Sequence, residues 1–205
     1  EYGVWELFLP HVKAGDAYRY VVTGAGGHKR YKADPYAFQA ELIPGTASRL
    51  VDIGGYRWGD KRWLTKRAEI PHMKNRLNIF EVHLGSWKRH NDGLSGNGDP
   101  DTDDHGGSYL TYDELSQDLV VYVKEMGYSH IELLPVMEHP FDGSWGYQNT
   151  GFFAPTSRYG TAAQLMALVD KLHHAEISVI MDFVPVHFAL DGYGLKLYDG
   201  THLYE

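Results

Sequence analysis

The chain has 205 residues, is 43% hydrophobic and 22% charged, and carries a net charge of -8. That size and balance give a water-soluble globular protein of one large or two small domains, and the acidic balance without any basic run argues against a general nucleic-acid binder. With no cysteine it has no disulfide framework, thiol chemistry or Cys-ligated zinc, which fits a reducing, cytoplasmic setting, and no apolar stretch is long enough to span a bilayer.

Residues 1–75 read as all-β. The runs VWELFL at 4–9, YRYVV at 18–22 and RLVDI at 49–53 are cut by Pro10, Gly15, the glycine-rich 24–27, Pro44, Gly45, Gly54 and Gly55. Strands at this spacing predict a small β-sandwich, a partial one because too few strands are visible to complete two sheets. Because residue 1 is Glu and the first strand begins at 4, the chain is expected to start within a domain. The ADPYA stretch at 33–37 is a turn with an aromatic after its proline. Residues 58–73 are mixed and charged and read as a linker.

From residue 78 the pattern changes. IFEVHL at 79–84 predicts a strand stopping at Gly85, followed by a polar loop over 88–108. Thr111 and Glu114 make a capping box. Behind it Leu115, Leu119, Tyr122, Val123 and Met126 keep helical spacing, and Gly127 sits where a left-handed residue ends a helix. IELL at 131–134 is the next strand, followed by an irregular loop over 137–160. Thr161 and Gln164 make a second capping box, with Leu165, Leu168, Val169 and Leu172 as its apolar stripe. The run at 179–184 is a third strand.

Strand–helix–strand–helix–strand makes two βαβ units and therefore a parallel sheet with right-handed crossovers. The loops after strands are long (85–110, 135–160, 185–205) and those after helices short (127–130, 176–178). That asymmetry belongs to the TIM (β/α)8 barrel, whose chemistry gathers at the carboxyl ends of the strands. A doubly wound sheet stays open, although no Gly-rich phosphate turn follows any of the three strands.

Asp182 and His187 lie in and just after the third strand, where an α/β active site places its polar groups. The same two residues also read as a satisfied Asp and a surface His. In the loop at 138–148, the rings of Trp145 and Tyr147 suit stacking on a sugar and the amide of Gln148 suits its hydroxyls. The alternative is a self-packed Ω-loop. Asp99, Asp101, Asp103 and Asp104 have the spacing of the first ligands of a calcium loop. Asp104 stands where that loop needs glycine and Leu110 where it needs glutamate, so the stretch reads as an acidic insertion and no metal site is predicted. His173 and His174 lie in the last turn of a helix, where the dipole favours them.

ADPYAF at 33–38, EVHLGSW at 81–87, IELLPVMEHPFDGSWGYQ at 131–148, GFFAPTSRYGT at 151–161, DFVPVHF at 182–188 and YDGTHLYE at 198–205 together resemble the glycogen (1,4-α-glucan) branching enzymes of the α-amylase superfamily, glycoside hydrolase family 13. The resemblance covers almost the whole chain. It implies a partial, immunoglobulin-like β-sandwich of the carbohydrate-binding-module type at 1–75. It implies the first three β/α units of a TIM (β/α)8 barrel at 76–205. Val186 departs from the Asn or small residue usual at that position, and the loop at 91–107 is longer than is usual.

By the same resemblance, Tyr147 stacks on the sugar at the cleavage site, Asp182 supports the catalytic centre, and His187 hydrogen-bonds the 6-hydroxyl of that sugar, with Trp145 and Gln148 as further substrate-binding candidates. The partner implied is α-1,4-glucan or glycogen, with no cofactor, nucleic acid or membrane. The oligomeric state stays open. The reaction implied is a retaining double displacement in which a sugar 6-hydroxyl accepts the glucan chain. Its nucleophilic Asp and acid/base Glu follow barrel strands four and five, downstream of Glu205. Glu81, Glu132 and Glu138 match neither, so no catalytic residue is expected here. The chain alone is expected to be inactive and, with open sheet edges, poorly soluble. A trehalose-releasing hydrolase of the same superfamily and a non-catalytic glucan-binding remnant remain alternatives.

Overall fold

The computed structural model describes residues 6–71, 76–92 and 107–203. In the first of these stretches two short antiparallel ribbons form. β1 (Ala17–Tyr18) pairs with β4 (Ser48–Arg49), and β2 (Tyr20–Thr23) pairs with β3 (Lys29–Lys32). Three expectations change here. Of the predicted strand at 4–9, residues 6–9 are not in a strand and Leu7 and Phe8 are exposed, while 4 and 5 lie outside the described residues. Of 49–53 only Arg49 is in a strand, because Leu50 exchanges its main-chain bonds with the turn at Gly15 and Asp16 instead of a ladder. The predicted linker contains a helix, α1 (Lys61–Glu69). Its residues are mostly good helix formers, and it buries only Trp63, flat against His173 at 3.6 Å between ring centroids.

The remainder is built on a parallel sheet. β5 (Ile79–Val82) leads into a four-residue helix, α2 (Leu84–Trp87), and then α3 (Tyr112–Glu125). β6 (His130–Leu133) is followed by the antiparallel pair β7 (Met137–Glu138) and β8 (Gly151–Pro155), then α4 (Ala162–His174) and β9 (Ser178–Met181). The sheet order is β5-β6-β9, all parallel, with Phe80, Ile131 and Val179 in one row and Glu81, Glu132 and Ile180 in the next.

The two capping boxes form as the spacing predicts. Thr111 N–H donates to Glu114 at 2.7 Å and Thr161 N–H to Gln164 at 2.8 Å. Gly127 is left-handed (φ +74), and Tyr128 N–H reaches back to the Val123 carbonyl, which closes α3.

β5 and β9 are shorter than the runs at 79–84 and 179–184, while β6 keeps its four residues one position earlier than predicted. The ladder of β9 stops at Met181, so Asp182 stands just beyond the strand. α3 and α4 cover one face of the sheet. Leu115, Leu119 and Val123 from α3 and Leu168 and Leu172 from α4 bury against Ile131, Leu133 and Val82. Tyr122 and Met126 fall outside that stripe and are exposed. The row Glu81–Glu132–Ile180 faces away from these helices, because successive strand residues alternate sides.

The N-terminal stretch is bonded to this sheet region at several points. Asp60 accepts from His173 Nδ1 at 2.7 Å, and both are buried. Gly59 N–H and the Tyr56 hydroxyl reach Asp170, and the Ser157 hydroxyl reaches the Ala40 carbonyl. His173 is therefore fixed by Asp60 and Trp63, a role that its place in the last helical turn did not suggest. Among the described residues no helix is long and apolar enough to cross a membrane.

Candidate functional site

The carboxyl ends of β6 and β9 are brought level by main-chain bonds. Leu134 N–H donates to Val82 and Asp182 N–H to Leu133, each at 3.0 Å. This bond holds Asp182 at the carboxyl end of the sheet. The loop after β6 brings Tyr147 to meet it. Trp145 (φ +55) and Gly146 (φ +85) are both left-handed, which folds the chain sharply back. Gly146 lies so close to Pro135 that a side chain there would strike its carbonyl. The Tyr147 hydroxyl then donates to Asp182 Oδ2 at 2.9 Å. That bond is the first cause of a phenol pushed up to about 12, helped by burial and by the charges of Asp182, Glu81 and Glu132. Tyr147 thus stays a protonated donor across the ordinary pH range.

The other predicted residues are placed differently. Trp145 is half exposed and stacks on His83, the residue just past β5, at 5.0 Å and 11°. One ring face is therefore occupied by protein. Burial first, and Arg89 next, lower His83 to about 4, so it is a neutral ring with Nδ1 3.0 Å from the Ser86 hydroxyl. Gln148 and His187 are exposed. His187 sits in a segment tied at both ends to Asn149, whose Nδ2 donates to the Val184 carbonyl at 3.1 Å and whose carbonyl accepts from Ala189 N–H at 2.9 Å. His83 and Asn149 are the participants that sequence reasoning missed. A histidine directly after a strand, in EVHLGSW, was a signal for the first; nothing local marked the second.

The loop is indeed self-packed, around charge. Arg158 Nη1 meets Glu138 Oε1 at 2.7 Å and its Nε bonds Asp142 Oδ1, all three being largely buried. Ser157 N–H, His139 N–H and the Thr156 hydroxyl also donate to Glu138, while the Tyr109 hydroxyl donates to Asp142. Burial raises the Glu138 carboxyl in spite of those donors. Both acids are committed to holding the loop's shape. Among the described residues no group of three or more His, Cys, Asp or Glu could hold a metal. The acidic stretch at 99–104 lies outside the described residues.

Comparison with known proteins adds to this geometry. Residues 115–193 match the family model of the alpha amylase catalytic domain, and residues 1–37 that of carbohydrate-binding module 48, the isoamylase N-terminal domain. The chain is 49% identical to a 1,4-alpha-glucan branching enzyme, GlgB, of Gloeobacter violaceus over 99% of its own length and 26% of that protein. With the same-named protein of Trichodesmium erythraeum the figures are 49%, 99% and 27%, and with that of Clostridium perfringens 48%, 100% and 29%. The chain thus spans about a quarter of the length of these curated relatives. Among solved structures, a Salmonella typhimurium protein described as an alpha amylase superposes with a TM-score of 0.63 at 25% identity, over 92% of this chain and 27% of its own. A pullulanase of Anoxybacillus complexed with maltotriose gives 0.57 at 20% identity over 85% and 26%, a likeness of fold.

Proposed function

We propose, from the premise that this chain is similar throughout its length to the 1,4-alpha-glucan branching enzymes, that it is the part of such an enzyme that binds the donor glucan. Residues 1–75 form the carbohydrate-binding-module-like portion. Residues 76–205 are the first three β/α units of a (β/α)8 barrel whose later strands carry the reacting carboxylates. The substrate is an α-1,4-glucan, the product an α-1,6 branch, and the setting cytoplasmic. The observation that carries the reading is the Tyr147–Asp182 pair at the carboxyl end of the parallel sheet, where a barrel gathers its chemistry.

The division of labour follows from the side chains. The Tyr147 ring offers a flat apolar face to a sugar, and its hydroxyl is fixed by Asp182. Asp182 keeps its other oxygen for a sugar hydroxyl. His187 and Gln148, both exposed, supply polar groups for the remaining hydroxyls, and Trp145 offers the ring face that His83 leaves open. Attack on the anomeric carbon and protonation of the leaving oxygen need two further carboxyl groups. Glu138 and Asp142 are held in the Arg158 network and do not fill those roles.

The test is product analysis after the full-length protein acts on amylose. New α-1,6 linkages are expected without a matching rise in reducing ends. Trehalose release, or a rise in reducing ends alone, would replace branching by hydrolysis, and glucan binding without turnover would leave a binding protein. In the same assay Tyr147→Ala and Asp182→Asn are each expected to lower kcat/KM by about 100-fold or more, the usual scale for removing a positioned active-site group.

A further inference from the structure

Lys32 is the most unusual side chain outside the site. Lysine is almost never fully buried unless paired, yet Lys32, the last residue of β3, is only 1% exposed. Its ammonium lies on three main-chain carbonyl oxygens, those of Gly192 at 2.8 Å, Gly194 at 3.1 Å and Lys196 at 2.6 Å. An ammonium has three donors and no acceptor, and each of these carbonyls is within reach of one. The Tyr198 ring lies beside it, 5.9 Å from Nζ to centroid, at the outer reach of a cation–π contact. Three carbonyl dipoles converging on one point are what main chain offers to a desolvated univalent cation.

The contact is part of a wider fit. Ala33 N–H donates to the Tyr193 carbonyl at 2.8 Å, and the Tyr198 hydroxyl donates to the Ala33 carbonyl at 3.2 Å. Gly24, in the turn between β2 and β3, lies so close to Asp199 that a side chain there would strike its carbonyl, and Gly200 lies under the Arg30 guanidinium. The β2–β3 ribbon is thus moulded onto 192–200, the segment that continues from His187 and from its tether at Ala189.

We propose that the carbonyls of Gly192, Gly194 and Lys196 form a cradle for an ammonium-type univalent cation, filled in this chain by Lys32, and that through it the N-terminal ribbon acts as the positioning element of the segment leading out of the His187 loop. The cradle is a property of the fold, and only its link to His187 rests on the function proposed above. With Lys32 removed, the three carbonyls lose their shared donor, so the segment either opens to water or recruits a small cation. Arginine does not substitute, because its planar fork cannot aim three donors at one point.

The experiment is chemical rescue of Lys32→Ala in the full-length protein. The variant is expected to melt about 5 °C or more below the wild type. Ammonium or methylammonium chloride should recover most of that loss saturably, whereas tetramethylammonium chloride, with no N–H, should not; the wild type should respond equally to all three salts. Branching activity, read alongside, should recover with the same ammonium dependence. A variant as stable as the wild type, or one indifferent to which salt is added, overturns the cradle. Rescue of stability without rescue of activity overturns only the positioning role, and absence of branching in the wild type itself would instead count against the proposed function. Should Lys32→Ala not fold, reductive methylation of the wild type decides. Lys32 is expected to stay unmodified while the exposed Lys29 and Lys61 are methylated, and labelling of Lys32 at their rate overturns the proposal.

Discussion

The two loops that meet at the candidate site are held by opposite means. The loop between β7 and α4 is closed around buried charge, with Arg158 joined to Glu138 and Asp142 and both acids drawing further donors. The segment after β9 has no comparable centre among the described residues. It is exposed at Val186 and His187 and tied down at Asn149, with Lys32 holding its continuation. The first loop is a preformed wall that delivers Tyr147; the second is pinned at intervals and presents His187 to solvent. A buried ion pair is costly to break from one side, whereas a segment held by single hydrogen bonds opens locally at little cost. The geometry of Tyr147 should accordingly survive perturbations that release His187.

The strongest way to break this contrast is Arg158→Met. It leaves Glu138 ionisable, buried and unpaired, so a loss of about 3–5 kcal/mol is expected in denaturant unfolding. A loss under about 1 kcal/mol would mean that the network is not what holds the loop. Next is acid. His139, beside Glu138 and 2% exposed, is lowered to about 4 by burial first and by Arg158 next. A histidine whose folded value lies below its unfolded one contributes stability that is complete above about pH 6.5 and is lost as pH falls toward 4. A tenfold change in proton affinity corresponds to about 1.4 kcal/mol, so about 3 kcal/mol should disappear over that window. The stability of His139→Gln, read from melting curves, should vary less with pH over the same range.

What the sequence revealed and what it hid divide along the same line. Both capping boxes, the left-handed Gly127 and the core residues Leu168 and Leu172 of α4 depend on residues three to five apart, and each was legible. β3 was not, because KRYK carries neither an apolar run nor a turn signal of its own, and the burial of Lys32 depends on carbonyls 160 or more residues away. α1 passed for a linker because its one buried side chain, Trp63, finds its partner His173 on a distant helix. Tyr147 and Asp182, 35 residues apart, were each singled out as candidates, but nothing in the sequence indicated that they bond to each other. Glu138 and Arg158 were visible as residues, but nothing in the chain indicated that they meet.

A smaller test sharpens the second half of the comparison. Asn149→Ala removes the bond to Val184, worth about 1 kcal/mol. It also removes an oxygen, Oδ1, that is buried without a hydrogen-bond partner among the described residues. The net change in global stability should therefore stay below about 1 kcal/mol, while amide exchange at Ala189 accelerates and exchange within α3 does not. Equal acceleration in both would mean that the two loops are a single cooperative unit.

The last test separates the two loops by their tyrosines. Tyr147 and Tyr109 are both pushed up to about 12, for different first reasons. For Tyr147 the leading cause is the bond to Asp182; for Tyr109 it is burial, with Asp142 second. Asp182→Asn keeps the shape and an acceptor oxygen but removes the charge. In a spectrophotometric titration the Tyr147 midpoint should fall from about 12 toward 10, stopping short of it because burial and the charges of Glu81 and Glu132 remain. Tyr109 should not move. A raised phenol contributes stability that is complete below about pH 10 and is lost as pH rises toward 12, so the stability of the variant should fall less steeply than that of the wild type over that window. If both midpoints fell, Asp182 would be supporting the charged wall as well as the sugar platform, and the independence of the two loops would be lost. If neither fell, burial and the neighbouring glutamates would be holding the Tyr147 proton, and Asp182 would be free to give both oxygens to a ligand.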